Sequence, residues 1–304
     1  MSINFVRTPS KNYAQVQSQI LGLIQAHLPA GSFSETEGVA RDGRLNFTLF
    51  IHQPADVVMS HGVADKNYFF RKDEEGARIA NRLRHVFVPG QWLKRRLVAS
   101  KRLELAEHQV HAVGWPRLDG LLELQAQRPQ EPRDGRRLRV LWAPTHDYAR
   151  RGDEQVSLSS YPGFEPHLAL LEQKFDVQVS LHPRNRRDKV PTVDKLLWAD
   201  YVISDFGTMV YEAWALGKPV IFPDWVIRDP ILAYLPAGSA ERHIFSEGIG
   251  LHPSSPDELM DMISSGAGIC AATEAFLHEY LAPEYTGCSA RRTATLLAEL
   301  AGEA

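Results

Sequence analysis

The stretch SDFGTMVYEAWALGKPVIFPD, residues 204–224, decides the fold class of this chain. The apolar run Tyr201–Ser204, which leads into it, predicts a buried strand because it is short and is followed by a turn. Gly207 lies in that turn, a helical pattern covers Met209–Leu216, and the apolar run Val220–Phe222 predicts a second strand. A strand, a helix and a strand in such quick succession are typical of a doubly wound parallel sheet.

The same alternation continues towards the N-terminus. Further strands are predicted at Ala55–Ser60, His85–Val88, Gln109–Val113, Leu138–Ala143 and Val177–Leu181. Helices are predicted at Asn12–Leu28, Gln91–Leu105, Glu165–Lys174 and Val193–Trp198, with three more helical segments after Pro256. The polar stretch Ser32–Asn46, which contains two glycines, predicts a loop.

A polar, proline-containing segment, Gln125–Arg137, separates the two series of strands and predicts a linker. We therefore expect an N-terminal α/β domain over residues 1–125, a C-terminal α/β domain over residues 138–284 and a C-terminal helix over residues 285–304. Ligands of open parallel sheets bind at the carboxyl ends of the strands. Two such domains facing each other across a cleft are thus the expected architecture.

The composition excludes several classes of protein. Of the 304 residues, 44% are hydrophobic and 23% are charged, which does not fit a mainly disordered, collagen-like or coiled-coil chain. The formal net charge of −3 gives no positive field of the kind that nucleic-acid binding needs, so no nucleic-acid partner is expected. Two cysteines, Cys270 and Cys288, are too few for a disulfide framework or a four-cysteine zinc site. They indicate a reducing cytoplasm.

No targeting segment is expected. The first residues, MSINFVRTPSKNY, lack the apolar run of a signal peptide. The longest apolar region, Met209–Ile227, is interrupted by Glu212, Lys218 and Asp224, so it does not predict a membrane-spanning helix. We expect a cytoplasmic protein whose contact with a membrane, if any, is peripheral and on the inner face.

A basic segment, Trp92–Leu97 with Lys101 and Arg102, has two interpretations. It suits contact with anionic lipid or with a polyanionic acceptor. More often such a run is the solvated face of a helix.

Residues that can carry out chemistry follow five of the predicted strands. They are His61 with Asp65 and Lys66, Arg117 with Asp119, Thr145 with His146, His182 with Arg184, and Asp205 with Gly207 and Thr208. Because the carboxyl ends of parallel strands meet at one edge of a sheet, this set predicts a working site.

The turn Asp205–Thr208 is the clearest candidate for an anion site. Free amide groups at the start of a helix favour anions, and a glycine there lets the backbone come close to a ligand. Thr208 either supplies a hydroxyl to a phosphate oxygen or acts as the helix N-cap. The alternative is that Thr208 only caps the helix and Gly207 only fits a tight turn.

The stretch at 204–224 resembles the nucleotide-binding segment of GT-B-fold transferases, in which a strand, a turn and a helix carrying Glu precede Gly-Lys-Pro-Val-Ile. Further motifs make the order similar to that of the CDP-glycerol glycerophosphotransferases, which are teichoic-acid-polymerase-like enzymes. Those motifs are His61-Gly62, Gly114-Trp115-Pro116-Arg117-Leu118-Asp119, Ala143-Pro144-Thr145 and His182. The resemblance spans about Val57 to Asp224. It implies a GT-B-like fold, a CDP- or CMP-linked donor substrate and no resident cofactor.

On the acceptor side, the resemblance implies that His61 is the general base. A neutral imidazole can take the proton of an acceptor hydroxyl as it attacks, although a lone histidine is more often packed against a carbonyl. Asp65 and Lys66 either orient His61 and bind an acceptor phosphate, or form a solvated loop pair. Arg117 and Asp119 either close the cleft or anchor the end of the first domain.

On the donor side, His182 and Arg184 are expected to stabilise charge on the donor phosphate, the alternative being ordinary surface charge. Glu212 resembles the residue that holds the nucleotide ribose, the alternative being a solvent-facing helix carboxylate. Thr145 and His146 resemble the turn that faces the donor. No Asp-x-Asp pair precedes the donor turn, so no metal is expected.

The expected function is transfer of glycerol phosphate, or of a sugar, to a hydroxyl of a cell-surface glycan or glycolipid, as in the synthesis of teichoic acid or capsule. Glycosyl transfer from CMP-Kdo or a UDP-sugar stays open because Glu-Ala-x-x-x-Gly-Lys-Pro, which begins at Glu212, is nearer to sugar transferases. A hydrolysing UDP-sugar 2-epimerase is a second enzymatic alternative. The short first half, about 125 residues, favours a third alternative, a non-catalytic GT-B-like partner in a polysaccharide-assembly complex.

Overall fold

The computed structural model describes residues 2–129, 135–145, 148–151, 154–181 and 190–303. All helices and strands below lie in these ranges. The α-helices are α1 (Ala14–Gln25), α2 (Gln91–Val98), α3 (Pro116–Ala126), α4 (Leu168–Lys174), α5 (Thr192–Trp198), α6 (Thr208–Ala215), α7 (Asp224–Tyr234), α8 (Ala240–Glu247), α9 (Pro256–Ser264), α10 (Ala271–Leu281) and α11 (Ser289–Glu303).

The strands form two parallel sheets and one antiparallel hairpin. They are β1 (Ile3–Val6), β2 (Phe33–Thr36), β3 (Leu45–Thr48), β4 (Val57–Met59), β5 (His85–Val88), β6 (Val110–Ala112), β7 (Arg139–Trp142), β8 (Tyr148–Arg151), β9 (Glu154–Ser157), β10 (Asp176–Val179), β11 (Tyr201–Ile203) and β12 (Val220–Ile221). The first sheet has the order β2-β1-β3-β4-β5-β6, the second has the order β10-β7-β11-β12, and β8 pairs with β9.

The chain divides into two compact units. Unit 1 contains residues 1–124 and 278–304, and unit 2 contains residues 125–277. Each unit carries one of the parallel sheets with helices around it. The predicted linker, Gln125–Arg137, begins inside α3 and includes residues 130–134, which lie outside the described part of the chain.

In unit 1, the polar stretch 32–46 does not form the single loop that the sequence predicted. It contains β2 and the start of β3, which lie on either side of β1, so that Ile3 faces both Phe33 and Leu45. The sequence did not predict these strands because neither has a continuous apolar pattern. The strand β2 is a half-exposed edge strand, and β3 carries a buried polar side chain, Asn46. The Asn46 amide is satisfied: its Oδ1 accepts the Nδ2–H of Asn4 at 3.0 Å and its Nδ2 donates to Asp56 at 3.0 Å.

The predicted helix Gln91–Leu105 is shorter than expected and ends at Val98. It packs its apolar residues, Leu93 and Leu97, into the core on one face of the first sheet. The rest of the predicted segment forms turns, because Leu103 and Leu105 enter the same core without a helical repeat.

The C-terminal residues of the chain return to unit 1. An Asp119 carboxylate oxygen accepts the backbone N–H of Ala290 at 2.7 Å and so caps α11. Gly114, with φ of 80°, lies so close to Ser289 that an added Cβ would stand 2.2 Å from its hydroxyl. The Tyr280 hydroxyl donates to the carbonyl of Val63 at 3.0 Å. These contacts attach residues 278–304 to the sheet of unit 1.

Unit 2 is built on a small buried sheet. Val140, Trp142, Tyr201, Ile203 and Ile221 are almost fully buried in its core. Leu251 makes a parallel bridge to Ile221 and so extends the sheet beyond β12. No helix in the described ranges is both long and apolar enough to cross a membrane.

Candidate functional site

The donor-side candidate lies at the carboxyl edge of the second sheet. After β7 the chain goes to β10 on one side, and it then returns to β11 on the other side of β7. Such a reversal opens a crevice between the two neighbouring strands, and ligands of doubly wound sheets bind there. Thr145 follows β7 and Asp205 follows β11, so the structure places both at this reversal.

Two hydrogen bonds join the ends of these strands. The backbone N–H of Thr145 donates to Asp205 Oδ2 at 2.8 Å, and the Ser204 hydroxyl donates to the carbonyl of Ala143 at 2.8 Å. Ser204 and Asp205 are completely buried. Burial raises the pKa of Asp205 to about 6, against the opposing effect of hydrogen bonds from Ser160 and Thr145. The Asp205 side chain is therefore a buried support of the crevice.

A loop that the sequence did not single out supports Thr145 from the other side. The Ser159 hydroxyl donates to the carbonyl of Thr145 at 2.7 Å. The adjacent Ser160 hydroxyl accepts the indole N–H of Trp142 at 3.0 Å. The Thr145 backbone is thus fixed at both its N–H and its carbonyl, while the Thr145 residue itself is only half-buried.

The helix α6 begins directly after this support. Gly207 is its N-cap and has φ of 103° and ψ of −170°, a backbone conformation that is essentially limited to glycine. The expectation that Thr208 caps the helix is wrong, because Thr208 is the first helical residue and Gly207 occupies the cap. A cap without a side chain leaves the first turn of α6 without a side-chain capping bond, which suits an anion.

Glu212 lies in the middle of α6 and is 2% exposed, so it is not the solvent-facing carboxylate of the alternative interpretation. Its neighbour Tyr211 is buried as well and donates a long hydrogen bond of 3.4 Å to Glu241 of α8. Lys218, from the Gly-Lys-Pro motif, has a structural role. Its ammonium donates to the carbonyls of Leu197 and Ala199, at the end of α5.

Three predicted donor residues lie outside the described part of the chain. They are His146, His182 and Arg184. Their roles stay predictions.

A histidine and an aspartate that the sequence did not indicate as site residues, His252 and Asp224, lie near the end of β12. Asp224 Oδ1 lies 2.8 Å from His252 Nδ1, and Asp224 Oδ2 accepts from Arg228 at 2.6 Å. His252 Nε2 lies 3.0 Å from the carbonyl of Ile249, and its ring stacks on Phe222. Because both ring nitrogens have partners, we assign this group to the structure of the sheet edge and not to catalysis.

The acceptor-side candidate in unit 1 centres on His61, which follows β4. Its ring stacks on Phe50 at 4.9 Å and meets the edges of Tyr13 at 5.2 Å and Tyr68 at 5.7 Å. Its Nδ1 is buried and makes no hydrogen bond to any described residue. His61 is packed against aromatic rings, and its ring also donates a hydrogen bond to the backbone carbonyl of Leu49. This is the contact of the alternative interpretation, a packed histidine bonded to a neighbouring carbonyl, so the role of His61 as a base stays a prediction.

The surroundings keep His61 neutral. Burial lowers the pKa of His61 to about 4, and the positive charge of Arg71 and, less strongly, that of Lys66 act in the same direction. A neutral imidazole at pH 7 can accept a proton, which is what a general base requires. A pKa nearer to 7 would make it a stronger base.

Asp65 and Lys66 behave differently from each other. Asp65 is 1% exposed and forms an ion pair with Arg96 of α2, and Arg96 also donates to Asn67. Lys66 is exposed and has a left-handed backbone, with φ of 41°. Asp65 therefore anchors the loop, whereas the charge of Lys66 acts on His61.

Arg117 and Asp119 both lie in the first turn of α3. Asp119 caps α11, as described above, and burial raises the pKa of its carboxyl. This contact supports the anchoring interpretation of Asp119. Arg117 is half-buried, and its role stays a prediction.

The basic segment at 92–97 is largely matched by acidic side chains. Arg96 pairs with Asp65, Arg95 pairs with Glu279, and Lys94 lies 3.7 Å from Glu107. These ion pairs favour the interpretation of the segment as a solvated helix face. Within the described ranges, no group of three or more His, Cys, Asp or Glu side chains is placed to hold a metal ion.

Comparisons with known proteins agree with this architecture. The chain is similar to the structure of the wall teichoic acid polymerase TagF, with a TM-score of 0.63, 14% identity, and coverage of 99% of this chain and 89% of that chain. A variant of that polymerase soaked with CDPG gives a TM-score of 0.61 at 14% identity, with the same coverage. A protein described as a UDP-N-acetylglucosamine 2-epimerase from Listeria monocytogenes gives 0.54 at 14% identity, covering 100% of this chain and 98% of that chain.

No protein-family model and no curated protein sequence matches the chain. At 14% identity, the structural likeness shows the fold. It confirms the predicted α/β class. The chain therefore has a GT-B-like fold built from two Rossmann-type domains.

Proposed function

We propose that this chain is a transferase that uses a nucleotide-activated donor, with a cytidine nucleotide as the leaving group. The observation that carries the proposal is the crevice of unit 2, where Asp205 fixes the Thr145 backbone beside the glycine-capped start of α6. A preorganised group of backbone amides at a helix start suits the phosphates of a nucleotide. We place the donor at this crevice, with Glu212 as a candidate ribose residue.

In the version that transfers glycerol phosphate, an acceptor hydroxyl attacks the β-phosphorus of the donor. The bond between this phosphorus and the oxygen that bridges to CMP breaks, and CMP leaves with the electron pair of that bond. His61 accepts the proton of the attacking hydroxyl, which its neutral ring permits at pH 7. His182 and Arg184 remain the proposed partners of the charge on the donor phosphate.

In the version that transfers a sugar, the same hydroxyl attacks the anomeric carbon and the nucleotide leaves intact. The two versions differ in their products, since only the first leaves the donor phosphate in the product. The phosphate content of the product therefore separates them. We expect the acceptor to be a cell-surface glycan or glycolipid.

The likeness to the 2-epimerase keeps one alternative, a hydrolysing UDP-sugar 2-epimerase. Such an enzyme needs further acidic residues near the sugar, and the buried Asp205 and Glu212 are both on the donor side. It would release UDP without any acceptor. A non-catalytic subunit of an assembly complex would release no nucleotide at all.

The experiment compares donor turnover and donor affinity in His61→Ala, in the wild-type chain and in His108→Ala, an exposed histidine of the same unit that serves as the control. We expect His61→Ala to lower turnover by about 10²–10⁴-fold, the usual contribution of a positioned general base, with donor affinity nearly unchanged. Circular dichroism checks that the variants are folded. Unchanged turnover in folded His61→Ala removes this residue from the mechanism. No turnover in the wild-type chain without a partner favours the non-catalytic alternative.

A further inference from the structure

The first sheet has its own reversal of strand order, between β1 and β3. The chain goes from β1 out to β2 at the edge and then returns to β3 on the other side of β1. Tyr13 lies in the segment that follows β1, and Phe50 lies in the loop that follows β3. These two aromatic residues therefore come from the two segments that leave the strands beside the crevice where a ligand of a doubly wound sheet binds.

Tyr13, Phe50 and His61 form a continuous cluster of rings. The centroids of Tyr13 and Phe50 are 5.0 Å apart, Phe50 stacks on His61 at 4.9 Å, and Tyr13 meets His61 at 5.2 Å. Tyr13 is 41% exposed, while most large apolar side chains of the described residues are buried. Part of an aromatic ring is thus open to solvent directly beside the candidate base.

Positive charge lies next to this cluster. The guanidinium of Arg71 lies 5.2 Å from the centroid of the Tyr68 ring and 3.1 Å from His52 Nε2. Arg71 and Lys66 are both exposed, and both are close enough to His61 to lower its pKa. The edge of unit 1 therefore combines an aromatic surface, a neutral histidine and exposed cations.

We propose that Tyr13 and Phe50 form an acceptor subsite for a sugar ring that carries an acidic group, such as a phosphate or a carboxylate. The inference rests on the proposed function and names the substrate class of its acceptor side. The face of an aromatic ring carries negative charge density, so the C–H face of a pyranose packs on it well. The acidic group lies towards Arg71, and a ring hydroxyl lies towards His61.

A hollow beside Arg71 supplies room for the rest of such an acceptor. It has a volume of about 680 Å³ and is lined by the loop at 51–55 and by Lys72, Asp73, Glu74, Ile79, Arg82 and Leu83. The Asp73 carboxylate is paired with Arg82, and Glu74 is exposed, so the cations that would face the acidic group are those beside His61. His52, which contacts Arg71, is part of its wall. Ligand sites commonly have volumes of this order. A linear polyol phosphate would use the cations but would gain little from the aromatic surface.

The test measures the binding of three probes by saturation-transfer NMR: glucose 6-phosphate, glucose and glycerol 3-phosphate. We expect glucose 6-phosphate to bind most tightly, and the two others about tenfold or more weakly, since each lacks one of the two recognition elements. Tyr13→Ala should weaken both sugars by about tenfold, whereas the matched control Tyr13→Phe, which keeps the ring, should bind them like the wild-type chain. Arg71→Gln should bring glucose 6-phosphate to the level of glucose, and the control Arg291→Gln, at an exposed arginine of α11 in the same unit, should not.

The proposal is overturned if Tyr13→Ala binds both sugars like the wild-type chain, or if glycerol 3-phosphate binds as tightly as glucose 6-phosphate. Binding of CMP and UMP is measured on the same samples. If the chain binds a nucleotide but the expected differences in sugar binding are not found, only the subsite is overturned and the proposed function stays in place. If the wild-type chain binds neither CMP nor UMP, the proposed function itself is contradicted.

Discussion

The backbone N–H of Thr145 donates a 2.8 Å hydrogen bond to Asp205 Oδ2, which joins the ends of two neighbouring strands of unit 2. Asp205 is completely buried, so the carboxylate is ionised at a cost. Along the chain, Asp205 comes shortly after the end of β11, and Thr145 comes shortly after the end of β7. This one contact fixes the crevice to which we assign the donor phosphates.

The cost of burying the Asp205 carboxylate predicts that the effect of removing its charge depends on pH. Since the pKa is raised from 3.8 to about 6 on folding, the folded state binds more protons between these values, and this contribution to stability is lost as the pH rises through 6. Asp205→Asn keeps an oxygen for the N–H of Thr145 and removes the charge, but its amide NH₂ replaces one of the two oxygens, and Asp205 also accepts hydrogen bonds from Ser160. Relative to the wild-type chain, the free energy of unfolding of Asp205→Asn should therefore be higher at pH 7 than near pH 4, by on the order of 2 kcal/mol. Urea unfolding of both proteins at both pH values checks this, and a difference between them that does not change with pH would contradict it.

The two ends of α6 allow a matched test of the anion site. Gly207 and Gly217 both have positive φ, 103° and 72°, so alanine at either position strains the backbone. We expect Gly207→Ala to lower the free energy of unfolding by about 2 kcal/mol and Gly217→Ala to lower it by about 1 kcal/mol. Only Gly207→Ala should also weaken nucleotide binding in calorimetric titrations. Equal nucleotide affinity in the two variants would place the donor elsewhere.

The ion pair between Asp65 and Arg96 predicts a structural effect. Removal of one partner leaves an uncompensated buried charge, so Asp65→Ala should lower the free energy of unfolding by about 3 kcal/mol. Asp65→Ala combined with Arg96→Met should recover part of this loss. Glu35→Ala, which breaks a more exposed pair with Arg7, is the control and should cost about 1 kcal/mol or less. An Asp65→Ala variant as stable as the Glu35→Ala control would return Asp65 to the list of acceptor ligands.

The neutral histidines of unit 1 predict sensitivity to acid. The pKa values of His61 and His111 are lowered to about 4, in both cases mainly by burial, and for His111 next by the charge of His85. The unfolded chain therefore binds more protons between about pH 4 and 6.5, and stability is lost as the pH falls through this window. We expect the melting temperature of His111→Gln to fall less between pH 7 and pH 4.5 than that of the wild-type chain. The control His278→Gln, at an exposed histidine of the same unit, should behave like the wild-type chain, and an unchanged pH response in His111→Gln would contradict the assignment.

The sequence predicted the parts of the fold that local patterns determine. The strand at His85–Val88 and the strand, turn and helix around Asp205 lie where the apolar runs placed them. The strand β2 escaped prediction because its half-exposed residues form a strand only through their pairing with β1. Edge strands carry little apolar signal of their own.

In the candidate site, too, local sequence patterns predicted some residues, and long-range contacts determine the roles of the others. His61 and Asp205 were predictable because each follows an apolar strand directly. The pairing of Asp65 with Arg96 joins residues 31 positions apart, and the capping of α11 by Asp119 joins residues 171 positions apart. Contacts at such separations depend on the tertiary fold. Tyr13 and Phe50 gave no signal, because what brings them together is the position of β1 and β3 in the sheet.

We propose that unit 2 binds a cytidine nucleotide as part of an activated donor, and a thermal-shift series compares this nucleotide with the others. The melting temperature is measured with CDP, UDP, ADP and GDP at equal concentration, because a ligand that binds the folded state raises it. We expect the largest rise in melting temperature with CDP, and a smaller rise with CDP in Gly207→Ala. No rise with any nucleotide would contradict the proposed function, and a clear preference for UDP would replace the cytidine donor with a UDP-sugar.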